Sequence, residues 1–350
     1  MLKNRLDKRI KLSNELIMKL AKIDELKGQW TGALNLNPKI LHQLKKSVVI
    51  TSSASSTRIE GSKMTDAEVE RFLRGIKQKT PKNRDEQEVA GYADLLGRIF
   101  DNYRTLKISE SGILELHKIL LAFSIKDKSH RGKYKNQDNT VAIVQGGKIK
   151  KILFKPTPPY LVKKEMDDSL EWLKERERKQ DLHPLVIIAN FIFEFLAVHP
   201  FIDGNGRLSR ALINLMMLQF GYNFVPYISL EEIIEDKQSE YYLSLRQTQK
   251  NHKTKNENIT PWLEFFVEVV LKQTEKALEL LAGNKNEKLL SELQKKVYSI
   301  FKVGKELKVS EIHKRTKISL ATVKQIVAKL TELKLIEKMG QGRATRYIKK

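Results

Sequence analysis

Apolar residues recur three or four positions apart along most of the chain, the period of a helix with one buried face. The stretches at 16–26, 86–103, 109–123, 163–178, 184–198 and 208–220 carry this pattern. Strand patterning is confined to 140–155, where the β-branched run TVAIV and the run KIKKILF flank Gln145-Gly146-Gly147-Lys148. That arrangement predicts a hairpin closed by a glycine turn. Thr157-Pro158-Pro159 ends it. The polar, glycine-punctuated stretch 282–287 (AGNKNE) reads as a linker. The expected fold class is mainly α, with one small β-hairpin in the larger part and a separate C-terminal domain.

Past residue 287 the elements shorten. An amphipathic helix is expected over 289–301, Ser310 can cap a short helix, Ser319 can cap a second over 320–333, and Lys317-Ile318 makes the turn between them. Segments 335–338 and 344–348 then flank Gly340-Gln341-Gly342 as a small hairpin. The order resembles a winged helix-turn-helix, with 320–333 as recognition helix and 340–346 as wing. Winged helices also serve as dimerisation or docking modules. The domains expected are an N-terminal helical region at 1–100, a core at 101–281 and the winged unit at 282–350.

Charge sharpens this division. The 350 residues carry a formal net charge of +23, which favours anionic partners. Residues 285–350 hold 18 Lys or Arg against 6 Glu, so the tail carries about half of the excess. Duplex DNA is therefore a candidate partner of 285–350, through Lys324, Lys329 and Arg343 or Arg346. A uniformly lysine-rich surface would give the same totals. There is no cysteine, which excludes disulfides and thiolate metal sites. The N-terminus is charged throughout, and the longest apolar run, 186–198, is broken by Asn190 and Glu194, so neither a secretory signal nor a membrane span is expected. A cytoplasmic location follows as the expectation.

The sharpest chemical signal lies between two helical segments, in His199-Pro200-Phe201-Ile202-Asp203-Gly204-Asn205-Gly206-Arg207-Leu208-Ser209-Arg210. Glycines on either side of Asn205 suggest backbone that approaches a ligand closely. A loop leading into a helix near Arg207 or Leu208 presents free N–H groups and the positive end of the helix dipole, an anion site. Arg207 and Arg210 lie one turn apart and can serve the same anion. Asp203 beside a polyphosphate can hold Mg²⁺ through one carboxylate, and His199 can accept a proton from an attacking hydroxyl.

HPFIDGNGRLSR matches the HxFx(D/E)GNGRxxR motif and so resembles Fic-domain proteins. The resemblance implies an all-helical core, ATP at the GNGR loop, and transfer of AMP to a Tyr, Ser or Thr hydroxyl of a protein. It assigns His199 as the base, Asp203 as the Mg²⁺ ligand, Gly204, Asn205 and Gly206 to the α-phosphate, and Arg207 and Arg210 to the outer phosphates. Phe201 would anchor the loop. Ser56-Thr57-Arg58-Ile59-Glu60-Gly61 fits the family's (S/T)xxxE(G/N) inhibitory motif, on a helix expected at about 50–61. Ser56 and Glu60 would share a face, with Glu60 paired to Arg210. Taken alone, SxxxEG also describes a solvated helix end at Gly61.

The hairpin at Ile143, Val144 and Gln145 resembles the flap on which a target segment docks by strand pairing, and it also reads as a purely structural hairpin. Tyr241, Tyr242 and Gln249 resemble the segment that contacts adenine and ribose, although a tyrosine pair on a helix equally serves a core. The partners that follow are a protein target, the chain itself as target, a second copy in a homodimer, and DNA; no membrane partner is expected. Two other readings stay open: a DNA-binding regulator whose core senses nucleotide, and an enzyme that removes AMP.

Overall fold

The segment PLVIIANFIFEFLAV is apolar on all sides but the one that carries Asn190 and Glu194, and a helix of that kind sits in the middle of a core. In the computed structural model it does: Leu185 through Val198 are all buried. The structure describes every residue except 1, 33–37, 77–79, 146–147, 289, 303, 334, 341 and 350. The chain divides into two compact units, the first ending at Glu275 and the second running from Lys276 onward.

In chain order, the N-terminal helices are α1 (Leu2–Lys8), α2 (Asn14–Gly32), α3 (Pro38–Ile59), α4 (Asp66–Gly75), α5 (Arg84–Asn102) and α6 (Glu110–Leu120). The hairpin β1 (Val141–Gln145) and β2 (Lys148–Phe154) follows, then α7 (Pro159–Lys179), the central α8 (Pro184–Val198) and α9 (Asn205–Gln219). Next come α10 (Leu230–Asp236), α11 (Gln238–Gln249) and α12 (Thr260–Lys288). The hairpin is antiparallel, pairing Ile143 with Lys151, Val144 with Ile149 and Gln145 with Lys148. The glycine turn expected at 146–147 lies outside the described residues.

Helix α3 buries mainly small, polar side chains. Ser52, Ser53, Ala54, Ser55, Ser56 and Thr57 are all buried, with Val48 and Ile59 buried on either side of them. Hydroxyls that would be costly to bury are satisfied within the helix, as Ser53 Oγ donates to the Val49 carbonyl at 2.6 Å and Thr57 Oγ1 to the Ser53 carbonyl at 2.8 Å. Small side chains let α3 come close to its neighbours, and Ser52 meets Ser229 at 2.8 Å. The helix stops at Ile59, and Gly61 turns the chain with φ 103.

Helix α1 is fastened to α8 by charge. Glu194, His252 and Glu257 converge closely enough to suggest a metal site. Arg5 reaches both carboxylates, bonding Glu257 at 2.6 Å and also Glu194, while Arg9 bonds Glu194 at 2.5 Å and Glu257 at 2.8 Å. Two guanidiniums balance the two carboxylates, so the cluster reads as a buried ion-pair network with no net charge left to draw a cation.

The second unit has its own core of Val297, Leu307, Ile312, Val323, Val327 and Leu330, among others. Its elements are α13 (Glu292–Tyr298), α14 (Val309–Thr316), α15 (Leu320–Glu332) and the antiparallel pair β3 (Ile336–Met339) and β4 (Arg346–Lys349). Leu307 exchanges both backbone bonds with Tyr347, at 2.9 Å each, extending the hairpin by one bridge. Two local expectations fail here. The stretch 282–287 is no linker but part of α12, since Lys and Glu are good helix formers and one interior glycine costs only about 1 kcal/mol. The cap of α14 is Lys308, two residues before Ser310; Glu311 accepts from the Lys308 N–H at 2.9 Å. Ser319 does cap α15, accepting from the Thr322 N–H. Among the described residues, no helix is long and apolar enough to cross a membrane.

Candidate active site

Pro200 cannot continue α8, and the residue before it leaves the helical region. His199 takes the left-handed conformation there, with φ 51. Its N–H still donates to the Phe195 carbonyl at 2.9 Å, and its Nδ1 donates to the Leu196 carbonyl at 3.3 Å. Because a carbonyl only accepts, this bond places the proton on Nδ1 and leaves the lone pair on Nε2. Burial is the main force that lowers the imidazole to about 4, against the bond to Leu196, and the cation Lys135 adds to it. The ring is neutral at pH 7.

The following loop is held by its own side chains. Phe201 is fully buried and stacks on His117 with ring centroids 3.7 Å apart. Asn205 binds Phe201 twice: its Oδ1 accepts from the Phe201 N–H at 3.0 Å and its Nδ2 donates to the Phe201 carbonyl at 2.8 Å. Gly204 caps α9 with φ 84, which favours glycine, and an added Cβ would stand 3.2 Å from Leu120. Helix α9 therefore begins at Asn205, two positions before the sequence suggests, and the free N–H groups belong to its first turn.

Asp203 Oδ1 accepts from the Gly204 N–H at 2.5 Å and from Arg207 at 2.8 Å, while its Oδ2 lies 3.6 Å from Arg84. Burial works against the carboxylate charge, but Arg207, the Gly204 N–H and Arg84 outweigh it and hold Asp203 below its ordinary value. The second oxygen suits a cation that arrives with phosphates, because Arg207 and Arg84 would repel one arriving alone. Arg207 is buried, and among the described residues its Nε and one terminal nitrogen have no hydrogen-bond partner; that terminal nitrogen lies 3.4 Å from Glu88. Arg210 is buried with one terminal nitrogen likewise unpartnered. Buried donors of this kind await an acceptor.

Glu60 stands at the same helix end. Arg210 donates to Glu60 Oε1 at 2.8 Å, to Ser56 Oγ at 2.9 Å and to the Ser56 carbonyl at 2.8 Å. Burial opposes the Arg210 charge, yet Glu60 raises its pKa above the ordinary value. The end of α3 is held from outside as well. Arg58 grips Glu235 at 2.5 and 2.8 Å and Asp66 at 2.7 Å. Gln238 and Tyr242 both donate to the Ile59 carbonyl, at 3.2 and 2.9 Å.

Ser56, Glu60, His199, Asp203 with the first turn of α9, and Arg210 thus meet in one place, and Tyr241 and Tyr242 join them from α11. Tyr241 is buried against Trp262 and Phe265, and Tyr242 is half-buried. Gln249 closes α11 two turns on and, among the described residues, joins none of the bonds around Glu60. Ile143, Val144 and Gln145 lie on β1, as the hairpin pattern requires. Sequence reasoning missed His117, which donates from Nε2 to the Asp203 carbonyl at 3.0 Å while its Nδ1 accepts from the Gly132 N–H at 2.9 Å. It also missed Arg84. Each is a single residue without a local pattern, so no signal in the sequence marked it.

Residues 107–217 match the model of the Fic/DOC family. The chain is 28% identical over 251 residues to the protein adenylyltransferase Fic of Drosophila persimilis, covering 71% of this chain and 44% of that protein. It is 28% identical over 264 residues to the Drosophila grimshawi protein of the same name, covering 75% and 48%. The chain therefore spans about half the length of these curated relatives. A Fic family protein from Desulfovibrio desulfuricans G20 superposes with a TM-score of 0.61 at 22% identity, covering 97% of both chains. Fic-1 from C. elegans superposes with 0.59 at 20% identity, covering 76% of this chain and 72% of that one. At these identities the solved structures speak for the fold alone. Residues 107–217 form a Fic domain, and the chain is homologous to the protein adenylyltransferases called Fic.

Proposed function

We propose that the chain is a protein adenylyltransferase that moves AMP from ATP onto a Tyr, Ser or Thr hydroxyl of a protein, and that Glu60 restrains it. The observation that carries this reading is an internal carboxylate seated on an anion site: Glu60 lies at the N-terminus of α9 and takes up Arg210. The first-turn N–H groups, Arg207 and Arg210 suit the phosphates of ATP, and Asp203 suits Mg²⁺ bound with them. His199 Nε2 takes the proton of the target hydroxyl as that oxygen bonds the α-phosphorus and pyrophosphate leaves. Strand pairing along β1 suits a target segment without demanding one sequence, and Tyr241, Tyr242 and Gln249 suit the nucleoside side.

The test is transfer of label from α-labelled ATP with Mg²⁺. The Glu60→Gly chain should label a protein, itself included, and Glu60→Gly with His199→Ala should not, since losing a general base costs on the order of 10² to 10⁴ in rate. Labelling by both variants at equal rates would remove His199 from the role. Release of AMP from a labelled protein by wild type would add the removing activity.

A second reading concerns the second unit. Helix α15 buries Val323, Ile326, Val327 and Leu330 and exposes Lys324 and Lys329. This basic face, with the β3–β4 hairpin, suits a winged helix on duplex DNA.

A further inference from the structure

Lys135 is a buried amine that has so far entered only through its charge on His199. The residue is 4% exposed. Its Nζ donates to Asn139 Oδ1 at 2.6 Å and to the Val198 carbonyl at 3.4 Å, and its backbone N–H donates to the Pro200 carbonyl at 2.8 Å. Asn139 Nδ2 donates in turn to the Phe201 carbonyl at 3.0 Å. The segment 135–139 therefore holds three carbonyls, one before His199 and two after it.

Three physical arguments give this grip a purpose. The Val198 carbonyl belongs to the last turn of α8, where it has no partner within the helix and lies at the negative end of the dipole, so a cation there is stabilising. The left-handed conformation of His199 is strained for any residue but glycine and lasts only where its surroundings over-determine it. Burying an ammonium among neutral acceptors is costly, and burial lowers Lys135 to about 8. A leucine would fill the space at less cost.

We propose that Lys135, with Asn139, is the positioning residue of His199, fixing the backbone on both sides of the imidazole. Because 135–139 runs directly into β1, the base and the strand offered to a target share one mount. Of the charged groups that act on the imidazole, Glu60 and Asp203 favour its protonated form and Lys135 opposes it. The assignment rests on His199 being the base, and the experiment separates the two claims.

The His199 imidazole is titrated by NMR in the full chain, comparing wild type with Lys135→Met and with Lys135→Arg. The midpoint should move up by about half a unit to one unit in Lys135→Met and stay near wild type in Lys135→Arg. In the Glu60→Gly background, Lys135→Met should lower kcat for AMP transfer at least tenfold with KM for ATP within twofold, and Lys135→Arg should restore it. A midpoint that does not move in Lys135→Met overturns the proposal, whatever the rate. If Lys135→Met does not fold, Asn139→Ala takes its place: it keeps the amine, frees the Phe201 carbonyl, and should change the nitrogen shifts of the His199 ring, and unchanged shifts overturn the proposal. The titration needs no turnover. Absence of AMP transfer in Glu60→Gly itself would therefore sink the proposed function and leave the Lys135 result to stand or fall alone.

Discussion

The carboxylate of Glu60 lies where a side chain on Gly206 would begin: a Cβ added at Gly206 would stand 2.2 Å from Glu60 Oε1 and 3.4 Å from a terminal nitrogen of Arg210. A charge-assisted contact such as Glu60–Arg210 is worth roughly 1.5 to 3 kcal/mol. Releasing it in Glu60→Gly should raise the rate of label transfer from ATP by one to two orders of magnitude. Arg210→Ala should show no such gain, because it removes the group being released. Equal rates in wild type and Glu60→Gly at saturating Mg·ATP would make this turn an ordinary helix end.

The same contact predicts a coupling in stability. Gly206 lies in the first turn of α9 with helical geometry, so alanine is tolerable to the backbone, and the clash is with the end of a flexible side chain. Gly206→Ala should cost about 1 to 3 kcal/mol where Glu60 is present and close to nothing in Glu60→Gly. Denaturant unfolding of the four chains in that cycle measures it, and an equal cost in both backgrounds would show that Glu60 does not occupy this space.

Acid should weaken the fold before most carboxylates titrate. Burial lowers both His117 and His199 to about 4, from an ordinary 6.5, and lowers His183 in the same sense. Unfolded, these rings take up protons near 6.5; folded, His117 and His199 stay neutral down to about 4. Stability therefore rises with pH between those values, by up to about 1.4 kcal/mol per unit for each ring. Asp203 and Glu194, held low in the folded state, extend the loss only at lower pH. Unfolding midpoints at pH 7, above the window, and at pH 5, inside it, make the comparison; identical midpoints would contradict it.

Duplex DNA should be retained by the full chain in a gel-shift assay at low salt, and the binding should fall steeply as salt rises. Lys324→Glu together with Lys329→Glu should weaken it at least tenfold, although Lys329 already pairs with Glu332 at 3.0 Å. Arg346 should contribute from β4, while the side chain of Arg343 lies outside the described residues. No retention at low salt would leave the second unit as a docking module.

What could be read from the chain depended on whether a residue acts with its neighbours in sequence. Helices α5 to α9 announced themselves by period, and the 199–210 loop by the density of chemical types within one short stretch. The full length of α3 did not, because most of what its second half buries is serine, threonine and alanine, with Ile59 the large apolar residue there. Lys135, His117 and Arg84 reach the loop from separate segments, so only the fold brings them there. The polar run at 282–287 looked like a linker because a polar composition is shared by linkers and by helices, and here the backbone continues α12.

The bond from the Tyr242 hydroxyl to the Ile59 carbonyl ties α11 to the last turn of α3, one residue before Glu60. A single hydroxyl proton cannot serve two acceptors fully at once. Any ligand that draws it away from Ile59 loosens the turn that carries Glu60. Thermodynamic reciprocity then requires the reverse: whatever loosens that turn from elsewhere changes the affinity of that ligand by the same factor. Tyr242→Phe, which lacks the proton and leaves Ile59 to Gln238 alone, should weaken the coupling, so that the affinity of a nucleoside depends less on whether residue 60 is glutamate or glycine.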